Sequence, residues 1–278
     1  MSIQDLTIVI TTFKSENAVS ECLKHIDKDC KVINIENSNN QDYKKKIEQS
    51  FKNVHCILTG ENLGYAKANN IGLKNTSTKY ALILNPDTNL LPDTLEKFFI
   101  AAKRLPDFAI IGPIINTNEN ISDENNNDTK QVDKVRGHAM FLNLSEFREI
   151  GFFDENFFIY LEEIDLCKRL IEKGKKIYID KNIKISHKGG SSHDKSINFE
   201  MELSRNWHWM WSTFYFNRKY KGFIFALLLI IPKLISSTLK FLFFTTIQKQ
   251  EKKQIYLQRF SGLINSILGK RSWYRPKI

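Results

Sequence analysis

Short continuous apolar runs, rich in β-branched residues, punctuate the first half of the chain: "LTIVITTF" (6–13), "CKVINIE" (30–36), "VHCIL" (54–58), "YALILN" (80–85) and "FAIIGPII" (108–115). Such runs read as strands covered on both faces. Between them lie stretches of helical periodicity: "ENAVSECLKHI", "DYKKKIEQSF", "YAKANNIGLK" and "PDTLEKFFIAAKRL". The alternation predicts βαβ units, hence an α/β class with a mostly parallel central sheet flanked by helices. Asp93 and Glu96 have the spacing of a capping box. The polar stretch "NTNENISDENNNDTKQVD" (116–133) has almost no apolar content and predicts a mobile loop. Beyond it the pattern predicts a strand at "VRGHAMFLN" (135–143), a helix late in "FDENFFIYLEEIDLCKRL" (153–170), a strand at "KKIYID" (175–180) and an aromatic-rich helix over 198–219.

The pattern changes near residue 220. "FIFALLLIIPKLISSTLKFLFFTTI" (223–247) is mostly apolar; as one helix it would reach roughly 37 Å, against about 30 Å for a bilayer core. Pro232 stands where it would break or kink that helix. Lys233, Ser236, Ser237 and Lys240 form one polar stripe, and basic segments flank both ends. A hairpin or in-plane attachment to an anionic leaflet fits this better than a crossing; the alternative is a hydrophobic helix pair packed on the rest of the protein.

Composition narrows the function classes. Lys and Arg total 41 against 31 Asp and Glu, a formal charge of +10, which favours anionic partners. Much of that excess sits beside the apolar tail and no groove-reading motif accompanies it, so nucleic acid is not an expected partner. Cys22, Cys30, Cys56 and Cys167 form no CxxC pair, which argues for reduced core thiols in a cytosolic setting. The opening "MSIQDLTIVITTF" reads as a first strand rather than a signal peptide.

The densest chemistry is Glu162, Glu163 and Asp165, crowded behind the aromatic "NFFIY". One acid at a helix start gains roughly 0.3–1 kcal/mol from the macrodipole. Three acids repel one another beside apolar residues, which favours a site that a hydroxyl or a cation approaches. Elsewhere "NLGYAKANN" lacks both GKS/T and GxGxxG, so it is no P-loop or dinucleotide fingerprint.

Set in order, "IVITTF", "NIENSN", "ENLGYAKANNIGL", "LILNPDT", "GFFDENFFIYLEEIDLCKRL" and "ISHKGGSS" resemble the family 2 glycosyltransferases of the GT-A fold, most closely a bacterial rhamnosyltransferase-like branch. The resemblance covers roughly residues 5–220 and implies a GT-A domain over 1–220; the apolar and basic pattern makes 221–278 a helical, membrane-associated tail. It implies a nucleoside-diphosphate sugar as donor, a glycan or lipid-linked acceptor, and a Mg²⁺ or Mn²⁺ cofactor. The implied location is the cytoplasmic face of the inner membrane, with soluble cytoplasm as the alternative. Ligands in such sheets bind at the C-terminal strand ends, where Thr11, Thr12 and Phe13 would meet the nucleotide. By similarity Glu36 and Asn37 contact base or ribose, and Asn62, Gly64, Ala66 and Asn69 contact the nucleotide sugar. Asn85-Pro86-Asp87 stands in place of the family's DxD, making Asp87 the metal ligand and Asn85 a sugar contact, with His187 a second ligand or phosphate contact.

Gly189, Gly190, Ser191 and Ser192 read as a flexible flap over the donor, and Lys188, Lys195 and Arg205 are cations near enough in sequence to help neutralise the departing diphosphate. By the same resemblance Glu163 takes the place of the general base with Glu162 beside it, the choice between them open, while Asp165 anchors the loop or Arg169. Tyr160, Phe157 and Phe158 would shape the acceptor entrance. Two other readings compete. A nucleotidyltransferase would put a glycine-rich loop after the first strand, yet "TTFKSENAVSECL" has no glycine. A scaffold protein that kept the fold and lost catalysis is the other.

Overall fold

The computed structural model describes residues 2–115, 128–187 and 193–277. The expected mobile loop at 116–133 lies outside them as far as residue 127, while its end forms the short strand Thr129–Gln131; the expected Gly189–Ser192 flap, with Lys188, also lies outside them.

The apolar runs become β1 (Leu6–Thr12), β2 (Lys31–Glu36), β3 (Val54–Leu58), β4 (Tyr80–Leu84) and β6 (Phe108–Ile115). The helices between them are α1 (Glu16–Lys24), α2 (Gln41–Ser50), α3 (Gly64–Lys74) and α4 (Thr94–Arg104). Two three-residue strands, β5 (Thr88–Leu90) and β7 (Thr129–Gln131), carry no sequence signal; each exists through its pairing with β9 (Lys176–His187). β8 (Ala139–Asn143) and α5 (Glu162–Glu172) complete this part. The sheet runs β3-β2-β1-β4-β8-β6-β9-β5, with β7 against β9. Its β3-β2-β1-β4 half is parallel, and β8 runs antiparallel between β4 and β6.

That parallel half sets the site, because its four strands deliver their C-terminal ends to one edge. It can be buried because helices cover both faces. On one face Leu6, Ile8 and Ile10 pack with Val19, Tyr43, Ile47 and an aromatic stack in which Phe141 lies 5.3 Å from Tyr80 and 5.0 Å from Phe98. On the other, α3 approaches so closely that a Cβ on Gly72 would sit 2.3 Å from Val9 Cγ1. Glycine is what permits that approach.

The α4 start corrects one expectation. Asp93 stands at the N-cap, but its carboxylate makes no capping bond and pairs with Lys97 instead, at 2.5 Å. Thr94 does the local work, its hydroxyl accepting from the Leu91 N–H and donating to the Lys184 carbonyl.

The chain forms two compact units: residues 1–154 with 163–194, and residues 155–162 with 195–278. The second is built on α6 (Asn198–Lys221), α7 (Phe223–Thr246) and α8 (Gln250–Ile267). Met210, Phe214, Ala226, Ile230 and Leu263 make one core between them, and Leu203, Trp207, Trp211, Ile255 and Tyr274 another. A Cβ on Gly262 would lie 2.3 Å from the Trp207 carbonyl oxygen, so only glycine lets α8 approach α6 this closely. The segment 155–162 is strapped to α6: Ser212 Oγ donates to the Ile159 carbonyl at 3.0 Å, and Phe158 stacks on His208 at 4.2 Å. Burial drives His208 down to about 3, so it stays neutral and serves as packing.

Contrary to the proline-break expectation, α7 is one helix through Pro232. Ala226 and Ile230 before the proline and Ser237 after it are all buried, which holds both halves in line. Of the polar stripe Ser237 is buried, Lys233 and Ser236 are half-buried, and the exposed Lys240 has its ammonium 5.2 Å from the Tyr256 ring of α8. Ile224, Leu228, Ile231, Ile235, Leu239 and Leu242, spaced three and four apart, are exposed along the opposite side.

Candidate active site

Register fixes where the expected donor residues lie. Thr12 pairs with Glu36, and Ile10 with Leu84, so β1, β2 and β4 end together. Glu36 is buried, with Oε2 accepting from Thr12 Oγ1 at 2.7 Å and Oε1 from Ser38 Oγ at 2.8 Å. Asn37 continues the edge: its N–H donates to the Thr12 carbonyl, and its side chain bonds Leu63 N–H and the Gly64 carbonyl. Gly64 opens α3 at φ +81°, a left-handed value that favours glycine there, and Asn62 Oδ1 accepts its N–H. Ala66 and Asn69 are fully buried. Phe13, past the end of β1, lies in a turn closed by both bonds of the Ser15 hydroxyl.

Beyond β4, Asn85-Pro86-Asp87 is a tight turn closed by Thr88 N–H to the Asn85 carbonyl, and Asp87 is 6% exposed at its corner. Asn85 N–H also donates to the His138 carbonyl at 2.9 Å. Across the β5–β9 ladder His187 stands opposite Thr88, one residue from Asp87.

Glu163 reaches this edge from α5. A Cβ on Gly137 would lie 3.7 Å from Glu163 Cβ and 3.5 Å from the Tyr65 hydroxyl, which donates to the Gly137 carbonyl. The turn before β8 is therefore flanked by Glu163 through Gly137 and by the Asp87 corner through His138. The carboxylate and the Pro-Asp corner share one end of the sheet. Burial raises the Glu163 carboxyl above its ordinary 4.5, against the pull of the Glu163 and Ile164 N–H groups and the Lys134 ammonium.

Buried polar atoms of this unit that make no hydrogen bond among the described residues include Thr11 Oγ1, Asn69 Oδ1 and Glu163 Oε2. Buried polar atoms without partners are rare in folded proteins. Each of these belongs to a residue singled out from the sequence as meeting a ligand.

Glu162, also buried, opens α5 from the second unit's segment. The two residues before it, Tyr160 at φ +74° and Leu161 at φ +70°, are both left-handed. For non-glycine residues this costs roughly 1–3 kcal/mol each, and such strain clusters at functional sites. Asp165 is fully buried and bonded to Arg169 at 2.8 Å, as its four-residue spacing suggested. Tyr65, Gly137 and His138 were not singled out from the sequence. The available signal was the glycine inside an apparent strand, which marks a close approach.

Comparison with known proteins gives the family and the fold. Over 192 residues the chain is 27% identical to the low-salt glycan biosynthesis hexosyltransferase Agl10 of Haloferax volcanii, covering 60% of this chain and 62% of that relative, so it spans under two thirds of the relative's length. It is 22% identical over 207 residues to the N-acetylglucosaminyl-diphospho-decaprenol L-rhamnosyltransferase of Mycobacterium tuberculosis, covering 58% of this chain and 67% of that relative. The fold matches mannosyltransferase PcManGT from Pyrobaculum calidifontis, solved with GDP-Man and Mn²⁺, at a TM-score of 0.58 and 11% identity over 96% of this chain and 88% of that one. This is the GT-A glycosyltransferase fold. The description "Glycosyl transferase family 2" matches residues 7–168, more than half of the chain. From strand order to sequence match the assignment is the same, and the chain belongs to glycosyl transferase family 2, similar to its rhamnosyltransferase-like members.

Proposed function

We propose that the chain is an inverting glycosyltransferase. It moves a sugar from a nucleoside-diphosphate sugar, of dTDP-rhamnose or UDP-sugar type, to a hydroxyl of a glycan or lipid-linked acceptor in cell-surface polysaccharide synthesis. The observation that carries this is the Gly137–Ala139 turn, with Glu163 on one flank and the Asn85–Asp87 corner on the other. Glu163 removes the acceptor proton as that oxygen bonds the anomeric carbon and the bond to the diphosphate oxygen breaks. One displacement inverts the centre and needs no covalent intermediate. Thr11 and Asn69 offer their unpartnered oxygens to the donor, and Asn37 and Glu36 brace the nucleotide edge.

A divalent cation fits the donor set. Among the described residues no three His, Cys, Asp or Glu side chains converge, so the protein would supply Asp87, with His187 as the second ligand that the family resemblance implies. Diphosphate oxygens and water suit the remaining positions of Mg²⁺ or Mn²⁺. Bound there, the ion supplies positive charge against the leaving diphosphate. The test is release of nucleoside diphosphate from a panel of nucleotide sugars with Mn²⁺, with Mg²⁺ and with chelator. Metal stimulates the wild type, and Asp87→Asn loses that stimulation together with Mn²⁺-dependent thermal stabilisation. Turnover indifferent to chelator would remove the metal from the proposal.

Membrane attachment is the second element. α7 is the one helix among the described residues long and apolar enough to cross a bilayer. Its exposed stripe includes Ile224 at 71% and Leu239 at 60%, with Lys219 and Lys221 before the helix and Lys249, Lys252 and Lys253 after it. This suits in-plane attachment to the anionic cytoplasmic face of the inner membrane. The full chain should float with phosphatidylglycerol vesicles more than with phosphatidylcholine vesicles, less so as salt rises. Ile235→Glu with Leu239→Glu should abolish flotation at an unchanged unfolding midpoint; flotation that ignores both changes speaks against attachment through α7.

A further inference from the structure

Gly137 lies between two side chains of the first unit, Tyr65 and Glu163. A Cβ there would meet the Tyr65 hydroxyl at 3.5 Å and Glu163 Cβ and Cγ at 3.7 and 3.8 Å, all ordinary contact distances. The glycine thus leaves room for about one methyl group between the tyrosine and the glutamate stem. The Tyr65 hydroxyl donates to the Gly137 carbonyl, which ties α3 to the turn before β8. The Glu163 and Ile164 N–H groups act on the Glu163 carboxyl from its own helix, while Oε2 makes no hydrogen bond among the described residues. The Gly137 turn is the boundary that another element contributes.

The same tyrosine belongs to the donor edge through its backbone. Gly64, left-handed at φ +81°, opens α3 one residue earlier. Asn69 Nδ2 donates to the Tyr65 carbonyl at 2.9 Å, which leaves Asn69 Oδ1 as the atom offered to the donor. The Tyr65 ring meets Phe153 edge-on, centroids 6.0 Å apart, and Asn70 of α3 holds both the N–H and the carbonyl of Phe153. Packing therefore orients the ring, and the hydroxyl carries that orientation to the turn.

We propose that Tyr65 is a positioning residue for sugar transfer: its hydroxyl pins the Gly137 turn, and that turn bounds the space in which the Glu163 carboxylate meets the accepting hydroxyl. The inference rests on the sugar-transfer reading and adds a residue that acts on the base through backbone. A reacting group misplaced by about 1 Å loses rate by roughly 10²-fold, so the bond that fixes this boundary is visible in kcat.

The full chain is assayed for nucleoside diphosphate release from the nucleotide sugar it turns over fastest, with water as the accepting hydroxyl. Tyr65→Phe keeps the ring and its contact with Phe153 and removes only the hydroxyl. It lowers kcat about 10-fold or more, while donor KM and nucleoside diphosphate affinity stay within about twofold. In a Glu163→Gln background the same change has no further effect on kcat, because the turn then positions nothing that takes a proton. An unchanged kcat in Tyr65→Phe overturns the proposal. So does a loss that persists beside Glu163→Gln, or one that falls on donor KM or nucleoside diphosphate affinity, since the tyrosine would then serve the donor edge or the fold. A wild type that releases no nucleoside diphosphate, or a Glu163→Gln variant that releases it at the full rate, removes the transfer reading or its base, and the positioning role with it.

Discussion

Glu163→Gln slows sugar transfer by about 10²- to 10⁴-fold, the usual contribution of a positioned general base, while donor affinity and the folded state persist. Glutamine keeps the shape of the side chain and its hydrogen bonds but cannot accept the acceptor's proton. The pH profile adds a readout that a structural role would not give. Burial raises the folded-state carboxyl above 4.5, so the acid limb of kcat/KM falls above the ordinary glutamate range. The stability sign follows from the same shift. An acid raised on folding favours the native state fully below its unfolded value and loses that benefit as pH rises through its folded value. At neutral pH wild-type Glu163 therefore carries a burial cost that glutamine lacks, and the variant should be at least as stable as the wild type. Denaturant titration beside initial rates checks both signs. Full activity in Glu163→Gln, with loss in Glu162→Gln, would move the base one residue back.

The parts of the fold legible in the sequence were those whose signal is local. Strands such as "YALIL" are buried on both faces, so every side chain is apolar and the run declares itself. β5 and β7 are too short for any periodicity and take their order from β9, a partner distant in sequence. β9 itself was read only to Asp180, because the register shift against β6 between Pro113 and Ile114 interrupts its alternation there. Pro232 misled for a related reason. Its local penalty is real, but packing against α6 and α8 on both sides of it keeps α7 whole. In the site, carboxylates and asparagines at strand ends could be picked out because the chemistry lies in the side chain. Tyr65 and Gly137 could not, since one acts through a backbone carbonyl and the other through the Cβ it lacks.

Arg169→Ala costs about 3–5 kcal/mol of stability, the usual loss when one partner of a buried ion pair is removed. Asp165 is fully buried, so without the guanidinium its charge is left in the interior. The same guanidinium donates to the Ile150 and Phe152 carbonyls, orphaning two more acceptors. From α3, Asn70 holds the next residue on both sides, donating to the Phe153 carbonyl at 2.9 Å and accepting its N–H at 3.0 Å. Residues 150–153 are thus clamped by two helices just before the chain enters 155–162, and α5 carries both Arg169 and Glu163. Loosening the clamp should lower kcat more than it raises donor KM, because the base moves while the β1–β2 edge does not. Arg169→Lys keeps the charge but lacks the planar fork that serves three acceptors, so it should fall between alanine and wild type. Combining Arg169→Ala with Asp165→Asn should cost less than the sum of the single changes, since the second removes the charge that the first strands. Strict additivity in denaturant unfolding would show that the pair is not coupled, and an unchanged kcat in Arg169→Ala would separate the clamp from the position of the base.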